Sequence, residues 1–158
     1  MPLDGVLGVD VLVSGLATGR PPRLEARLEV GPGITVLFGP SGAGKSTCLL
    51  AVAGLLRPSR GRVVLGRTAL FDAEKGIDMP PHRRRVALVF QSLALFPHMT
   101  AVENVAFGLP DRTARGERRR LAAVWLERMR VGHLANRRPA TFSGGEAQRV
   151  ALARALAS

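Results

Sequence analysis

Residues 34–56 read ITVLFGPSGAGKSTCLLAVAGLL, and this stretch restricts the fold more than any other. Its first five residues are uncharged and rich in β-formers, which predicts a strand buried on both faces. The run KSTCLLAVAGLL, from Lys45 to about Leu56, has the pattern of a helix ended by Arg57-Pro58. Between them GPSGAGKS, 39–46, matches G-x-x-x-x-G-K-[ST] with the strand before it and the helix after it that the pattern requires. Gly39, Gly42 and Gly44, with Pro40, Ser41 and Ala43 between them, let the main chain curl so that several N–H groups converge on one anion. The start of the helix adds its positive end. Lys45 is placed to reach β- and γ-phosphates, the Ser46 hydroxyl is a hard oxygen suited to Mg²⁺, and Thr47 is placed to donate to an α-phosphate. Gly54, read as lying within the helix, lowers its propensity and marks close packing. Cys48 reads as core. The loop says "nucleoside triphosphate" without choosing among kinases, GTPases, motors and transport ATPases. No N-K-x-D follows, which argues against guanine.

LEARLEV, 24–30, alternates apolar and polar residues and predicts a half-buried antiparallel strand, closed by a turn at Gly31-Pro32-Gly33. RVVLGRTALFD, 62–72, predicts one or two strands, and VALVF, 86–90, a second buried one. Strand, helix, strand in that order predicts an α/β core with some parallel pairing and a flanking antiparallel sheet. From 100 to 141 the pattern becomes helical. Thr100 and Glu103 fit a capping box, and Leu121, Val124, Trp125 and Met129 fall on one face of a helix over about 116–131.

The chain ends FSGGEAQRVALARALAS, 142–158. Ser143 is a good N-cap, and Glu146 three residues on makes a second capping box. Val150, Ala153 and Leu156 share a face. Gly144 and Gly145 are poor residues for a first turn unless a ligand approaches their N–H groups. The spacing alone leaves open both a second phosphate site and an ordinary capped helix after a glycine turn.

Three motifs in order decide between these. GPSGAGKST resembles the Walker A loop of the nucleotide-binding subunits of ATP-binding-cassette (ABC) transporters, VALVFQ resembles their Q-loop strand, and FSGGEAQRVALARAL resembles their signature motif, with Phe142 and Glu146 in place of its usual leucine and glutamine. The resemblance runs from about residue 24 onward. It implies a P-loop NTPase core, with a mixed sheet and flanking helices, an antiparallel β subdomain and a helical insert, incomplete at the C-terminus. One incomplete domain is expected: about 1–91 core and β subdomain, about 92–142 helical subdomain, 143–158 signature helix. It implies ATP and Mg²⁺ as cofactors, with ATP held between the Walker A loop of one copy and Ser143, Gly144, Gly145 and Glu146 of a second copy in a head-to-tail homodimer. Lys45 and Gln91 become the catalytic residues, and Ser46 and Gln91 the Mg²⁺ contacts. SLALFPHMTAVENVAFGL, with Phe96 and Pro97, would meet integral membrane permease subunits, at the cytoplasmic face of the inner membrane. LFDAEKGIDMPPHRRRVALVFQSLALFPHMT resembles molybdate importers in particular; sulfate, iron and polyamine importers share FQ-x-x-x-LFPHMT-x-x-EN. A soluble ABC ATPase of DNA repair or translation is the other reading of the same motifs.

The chain departs from the family in two places. Residues 1–37 hold no Phe, Tyr or Trp to stack on adenine. After the signature helix the family has a strand ending in Asp-Glu and a later switch histidine, and Ser158 precedes them. The expectation is an incomplete cassette (a fragment, a truncated product or a cloning boundary) that folds poorly alone, binds Mg-ATP weakly and is inactive. His82, His98 and His133 are out of place for the switch and read as surface residues.

The net charge of +11 comes almost wholly from arginine; only Lys45 and Lys75 are lysines. Arg83–Arg85 and Arg118–Arg120 are the densest runs. They read as solvated arginines rather than a nucleic-acid surface, since aromatics are few and tyrosine is absent. One cysteine excludes an internal disulfide. The first residues show no secretory leader, and no run of eighteen apolar residues suggests a membrane span.

Overall fold

A computed structural model describes residues 5–14, 24–110 and 112–158. Residues 1–4, where a leader would begin, lie outside them. The chain forms two compact units, Met1–Val86 and Ala87–Ser158.

Among the described residues, the first unit is an antiparallel sheet carrying one α-helix. Its strands are β1 (Leu7–Val13), β2 (Leu24–Val30), β3 (Arg60–Leu65), β4 (Thr68–Asp72) and the short β5 (Ile77–Asp78), in the order β2-β1-β3-β4-β5. The pairing puts Val9 opposite Leu28 on one side and Val63 on the other, so one face is apolar. Helix α1 (Lys45–Ala53) lays Cys48 and Val52 on that face against Val9, Val11, Val63, Leu70 and Phe71. Cys48 is therefore core, and burial raises its thiol pKa. β1 was not read from the sequence, although Val9, Val11 and Val13 alternate with Asp10 and Leu12 at strand period. Its partners fix it as the second strand of the sheet. In β3, Gly61 has a positive φ of 97°, and a side chain there would run into the carbonyl of Asp10.

Two strand expectations fail. Residues 34–38 and 86–90 pair with no strand among the described residues, and every described ladder is antiparallel. A strand exists by its partner's hydrogen bonds, and apolar sequence cannot supply them. Ile34 and Phe38 are each 98% exposed. Helix α1 also stops earlier than expected: Gly54 is its C-cap, at φ 77° and ψ 13°, rather than an interior residue.

The second unit packs α2 (Ala101–Gly108), α3 (Arg115–Arg128) and α4 (Gly144–Ala157) around Val102, Val105, Ala122, Leu126, Val131, Leu134, Val150 and Ala153. Both expected capping boxes form, Thr100 with Glu103 and Ser143 with Glu146. The buried faces are rotated from the expected ones. On α3, Ala122 and Leu126 are buried while Val124 is exposed. On α4, Ala157 goes inward and Leu156 outward. Gly108 permits the close crossing of α2 and α4, because a side chain there would strike the carbonyl of Arg154.

Asn104 is fully buried on α2 and has partners at every polar atom. Its Oδ1 accepts from the Phe96 N–H at 2.8 Å, and its Nδ2 donates to the carbonyls of Phe96, Met99 and Thr100. It ties loop 96–100 to the helix. Asn104→Ala leaves those groups unpaired in the interior and should cost about 2–4 kcal/mol of stability in urea unfolding.

Candidate functional site

Helix α1 begins without the devices that open α2 and α4. Its N-cap Gly44 has φ 84°, no side chain caps it, and its first turn contains no acid. In such a helix the N–H groups of Lys45, Ser46 and Thr47 have no intrahelical partner. Cys48 is the first to bond back, to the Gly44 carbonyl at 2.9 Å. Gly39 and Gly42 also have positive φ, and the Ala43 N–H closes a turn on the Pro40 carbonyl at 3.3 Å. Residues 40–43 and Ser46 are exposed, and Gly39, Gly44 and Lys45 half-buried. The Lys45 ammonium folds back to donate to the carbonyls of Gly39 (2.8 Å) and Pro40 (2.7 Å). This is an exposed cluster of main-chain donors beside a lysine, suited to a phosphate chain. The exposed Ser46 hydroxyl is the hard-oxygen donor a Mg²⁺ ion beside those phosphates would need.

Arg84 closes the other end of the same helix. It was expected to be solvated, yet it is only 2% exposed. Its Nη1 donates to the carbonyls of Ala51 and Val52, its Nε to that of Met79, and its Nη2 pairs with Asp78 at 3.1 Å. The carbonyls left over at the helix C-terminus thus find a cation. Burial lowers the guanidinium pKa, and Asp78 opposes that shift. Gly54 makes room, since a Cβ there would lie 2.5 Å from Arg84 Nε. The run Arg83–Arg85 gave no hint of which arginine turns inward. The neighbouring glycine cap was the available signal.

In the second unit, Ser143, Gly144 and Gly145 are exposed at the start of α4. The capping box uses the N–H groups of Ser143 and Glu146. Gly144 and Gly145 are exposed, with open space where a Gly144 side chain would be, and their N–H groups have no intrahelical partner. Glu146 Oε2 accepts from the Ser143 N–H at 2.7 Å and from its hydroxyl at 2.8 Å, and Oε1 lies 3.3 Å from His133 Nε2. The Ser143 N–H, then the Ser143 hydroxyl, then His133 hold the Glu146 carboxyl down at about 2, from 4.5. His82, His98 and His133 are all exposed, as expected.

Gln91 is exposed in the hydrogen-bonded turn Phe90–Leu93. Leu93 and Ala94, which leave that turn, have φ of 59° and 44°. Phe96 meets the edge of Phe107 at 4.7 Å between ring centroids, and both line a cavity of about 400 Å³ with Ala94, Ala151 and Arg154. The Walker-like loop belongs to the first unit; Gln91 and Ser143–Glu146 belong to the second. Among the described residues no helix is long and apolar enough to cross a membrane.

The family described as ABC transporter matches residues 25–158. Among curated proteins, the molybdenum import ATP-binding protein ModC of Rhodospirillum rubrum is 48% identical over 134 residues, which are 85% of this chain and 36% of that protein. The ModC of Mycobacterium tuberculosis is 45% identical over 142 residues, 86% of this chain and 38% of that protein. The chain thus spans little more than a third of the length of these relatives. Among solved structures, a dimeric ATP-binding cassette in a post-hydrolysis state, bound to ADP and Pi, superposes with a TM-score of 0.77 at 32% identity. That match covers 96% of this chain and 69% of the other. A second dimeric structure, of a bacterial ABC transporter cassette, gives 0.73 at 30% identity, with the same coverage. The fold is that of an ABC ATPase cassette with its P-loop core, and the described ladders are its antiparallel portion.

Two outcomes follow from the geometry. Gly44→Ala forces a side chain into a left-handed residue and to within 2.5 Å of Leu24 Cδ1, and should cost roughly 1–2 kcal/mol or more in thermal unfolding. The Glu146 carboxyl has a depressed folded pKa, so its contribution to α4 is complete above pH 4.5 and is lost as pH falls towards 2. In a ¹³C NMR titration Ser143→Ala should raise that pKa part of the way. Ser143→Pro, which the φ of −68° accommodates, should remove most of the depression and bring the pKa back towards 4.5, because the N–H is lost as well.

Proposed function

Because this chain belongs to the ABC transporter family, we propose that it is the ATP-binding part of an importer subunit that couples ATP binding and hydrolysis to uptake of an oxyanion, molybdate. The observation that carries the nucleotide reading is the opening of α1: uncapped, glycine-led, free of acids, with its lysine beside the exposed main-chain donors. The ModC relatives support the molybdate reading.

In this reading the N–H groups of Ser41–Thr47 surround the phosphates, the loop being shaped by Gly39, Pro40, Ser41, Gly42, Ala43 and Gly44. Lys45 exchanges its two carbonyl partners for β- and γ-phosphate oxygens. Those bonds pre-form its orientation, and the stronger charge-assisted contact to phosphate displaces them. Ser46 and Gln91 would hold Mg²⁺, which when bound would neutralise charge on the phosphates. Gln91 also orients the attacking water. Gly144 and Gly145 present their N–H groups to the γ-phosphate of ATP on a second copy, head to tail, at a helix start that Ser143 and Glu146 cap. Phe96 and Pro97, beside exposed Phe107, form a contact for a membrane-embedded permease subunit. The protein sits peripherally on the cytoplasmic face of the inner membrane. The two units together are one cassette domain, and no nucleic acid takes part.

Lys45→Ala should weaken binding of a fluorescent ATP analogue with Mg²⁺ at least ten-fold while leaving the melting temperature within a few degrees. Equal affinity in the variant overturns the nucleotide reading. Molybdate uptake restored by the full-length protein in cells lacking their own importer ATPase, with sulfate, iron and polyamine uptake unaffected, checks the cargo.

A further inference from the structure

Arg154 lies on α4, ten residues after Gly144, and its side chain leaves the helix to hold the turn that carries Gln91. Its Nη2 donates to the Leu93 carbonyl at 3.1 Å and its Nη1 to the Ala94 carbonyl at 2.8 Å. These two residues are consecutive and left-handed, and neither is glycine. Side chains at such φ values are disfavoured, so the turn keeps this shape only while something outside it supplies the difference. A planar fork with two donors on two adjacent carbonyls is well matched to that task. The guanidinium also sits 5.4 Å from the centre of the Phe96 ring, which fixes its position from the other side. Its route is open because Gly108 has no side chain where Arg154 crosses α2. Burial lowers the Arg154 pKa, as expected for a cation that water does not fully solvate.

We propose that Arg154 is a positioning residue that locks the Gln91 turn to helix α4, so that Gln91 and the Ser143–Gly145 helix start are held as one rigid piece. The functional consequence rests on the nucleotide reading above: Gln91 would be presented to one ATP and Ser143–Gly145 to another, and a single arginine sets the distance between them. Arg154 touches neither nucleotide.

Arg154→Lys keeps the charge and most of the stem but cannot place two donors on two carbonyls. In amide exchange followed by NMR on the full-length protein, the Leu93 amide should exchange at least ten-fold faster in Arg154→Lys. The amides of α2 and of the middle of α4 should keep their protection. Adding Ala94→Gly, which makes the left-handed conformation favourable without the clamp, should return the Leu93 amide to within about three-fold of the parent. ATP turnover should show a kcat at least ten-fold lower with KM for ATP within two-fold. Unchanged Leu93 exchange overturns the proposal, as does a loss of protection spread evenly over α2 and α4, which marks general destabilisation. The exchange measurement needs no nucleotide. If the wild type binds no ATP while Arg154→Lys still speeds Leu93 exchange, the nucleotide reading falls and the clamp stands.

Discussion

A helix leaves main-chain polar groups without partners at both ends, and how this chain satisfies them organises much of what it does. Thr100 with Glu103 and Ser143 with Glu146 close the starts of α2 and α4. Arg84 closes the end of α1, and Arg118 donates to the carbonyls of Ala106, Leu109 and Pro110 at the end of α2. The opening of α3, at Ala114, also lacks a side-chain cap but has Glu117 in its first turn; the opening of α1 has neither. A left-handed glycine caps it, no side chain answers its N–H groups, and the nearest cation is tied to the loop's own carbonyls. Unanswered donors at the surface are an invitation to an anion, and the more so where the dipole of the helix points the same way.

The sequence made the donors legible because they depend on local chemistry. Positive-φ glycines, a lysine at fixed spacing and the two capping boxes are properties of a few adjacent residues, and all appear where the sequence places them. What failed depended on distant partners. ITVLF and VALVF have strand composition, but strand structure is a relation between chains of hydrogen bonds, and neither segment has one among the described residues. β1 was overlooked for the opposite reason: its alternating valines are ordinary until Leu28 and Val63 are seen to flank Val9. Arg83, Arg85, Arg119 and Arg120 are exposed, as their runs suggest, while Arg84 is buried, because charge in a sequence carries no depth. Arg84 and Arg154 look like their exposed neighbours, and only the glycines at 54 and 108 show where a long side chain is let through.

The two candidate anion sites differ in how they are kept open. At Gly39–Ser46 the loop holds its shape through glycine geometry, with Leu24 packed where a Gly44 side chain would be. At Ser143–Gly145 the capping box uses two N–H groups and leaves the two glycine amides without an intrahelical partner. The price is a carboxylate, Glu146, close to where negative charge would arrive. His133 at 3.3 Å is the group placed to offset it. Glutamine, the family's usual residue, would carry no such charge.

The exposed run Ile34–Phe38 has a consequence beyond the site. Five successive residues with high β-propensity and no charge, proline or glycine form the kind of segment that adds readily to the edge of another copy. They leave the ribosome just ahead of the glycine loop, before any residue of the second unit has been made. Until they are covered, the repulsion between chains of net charge +11 is what keeps molecules apart, and it weakens as salt rises.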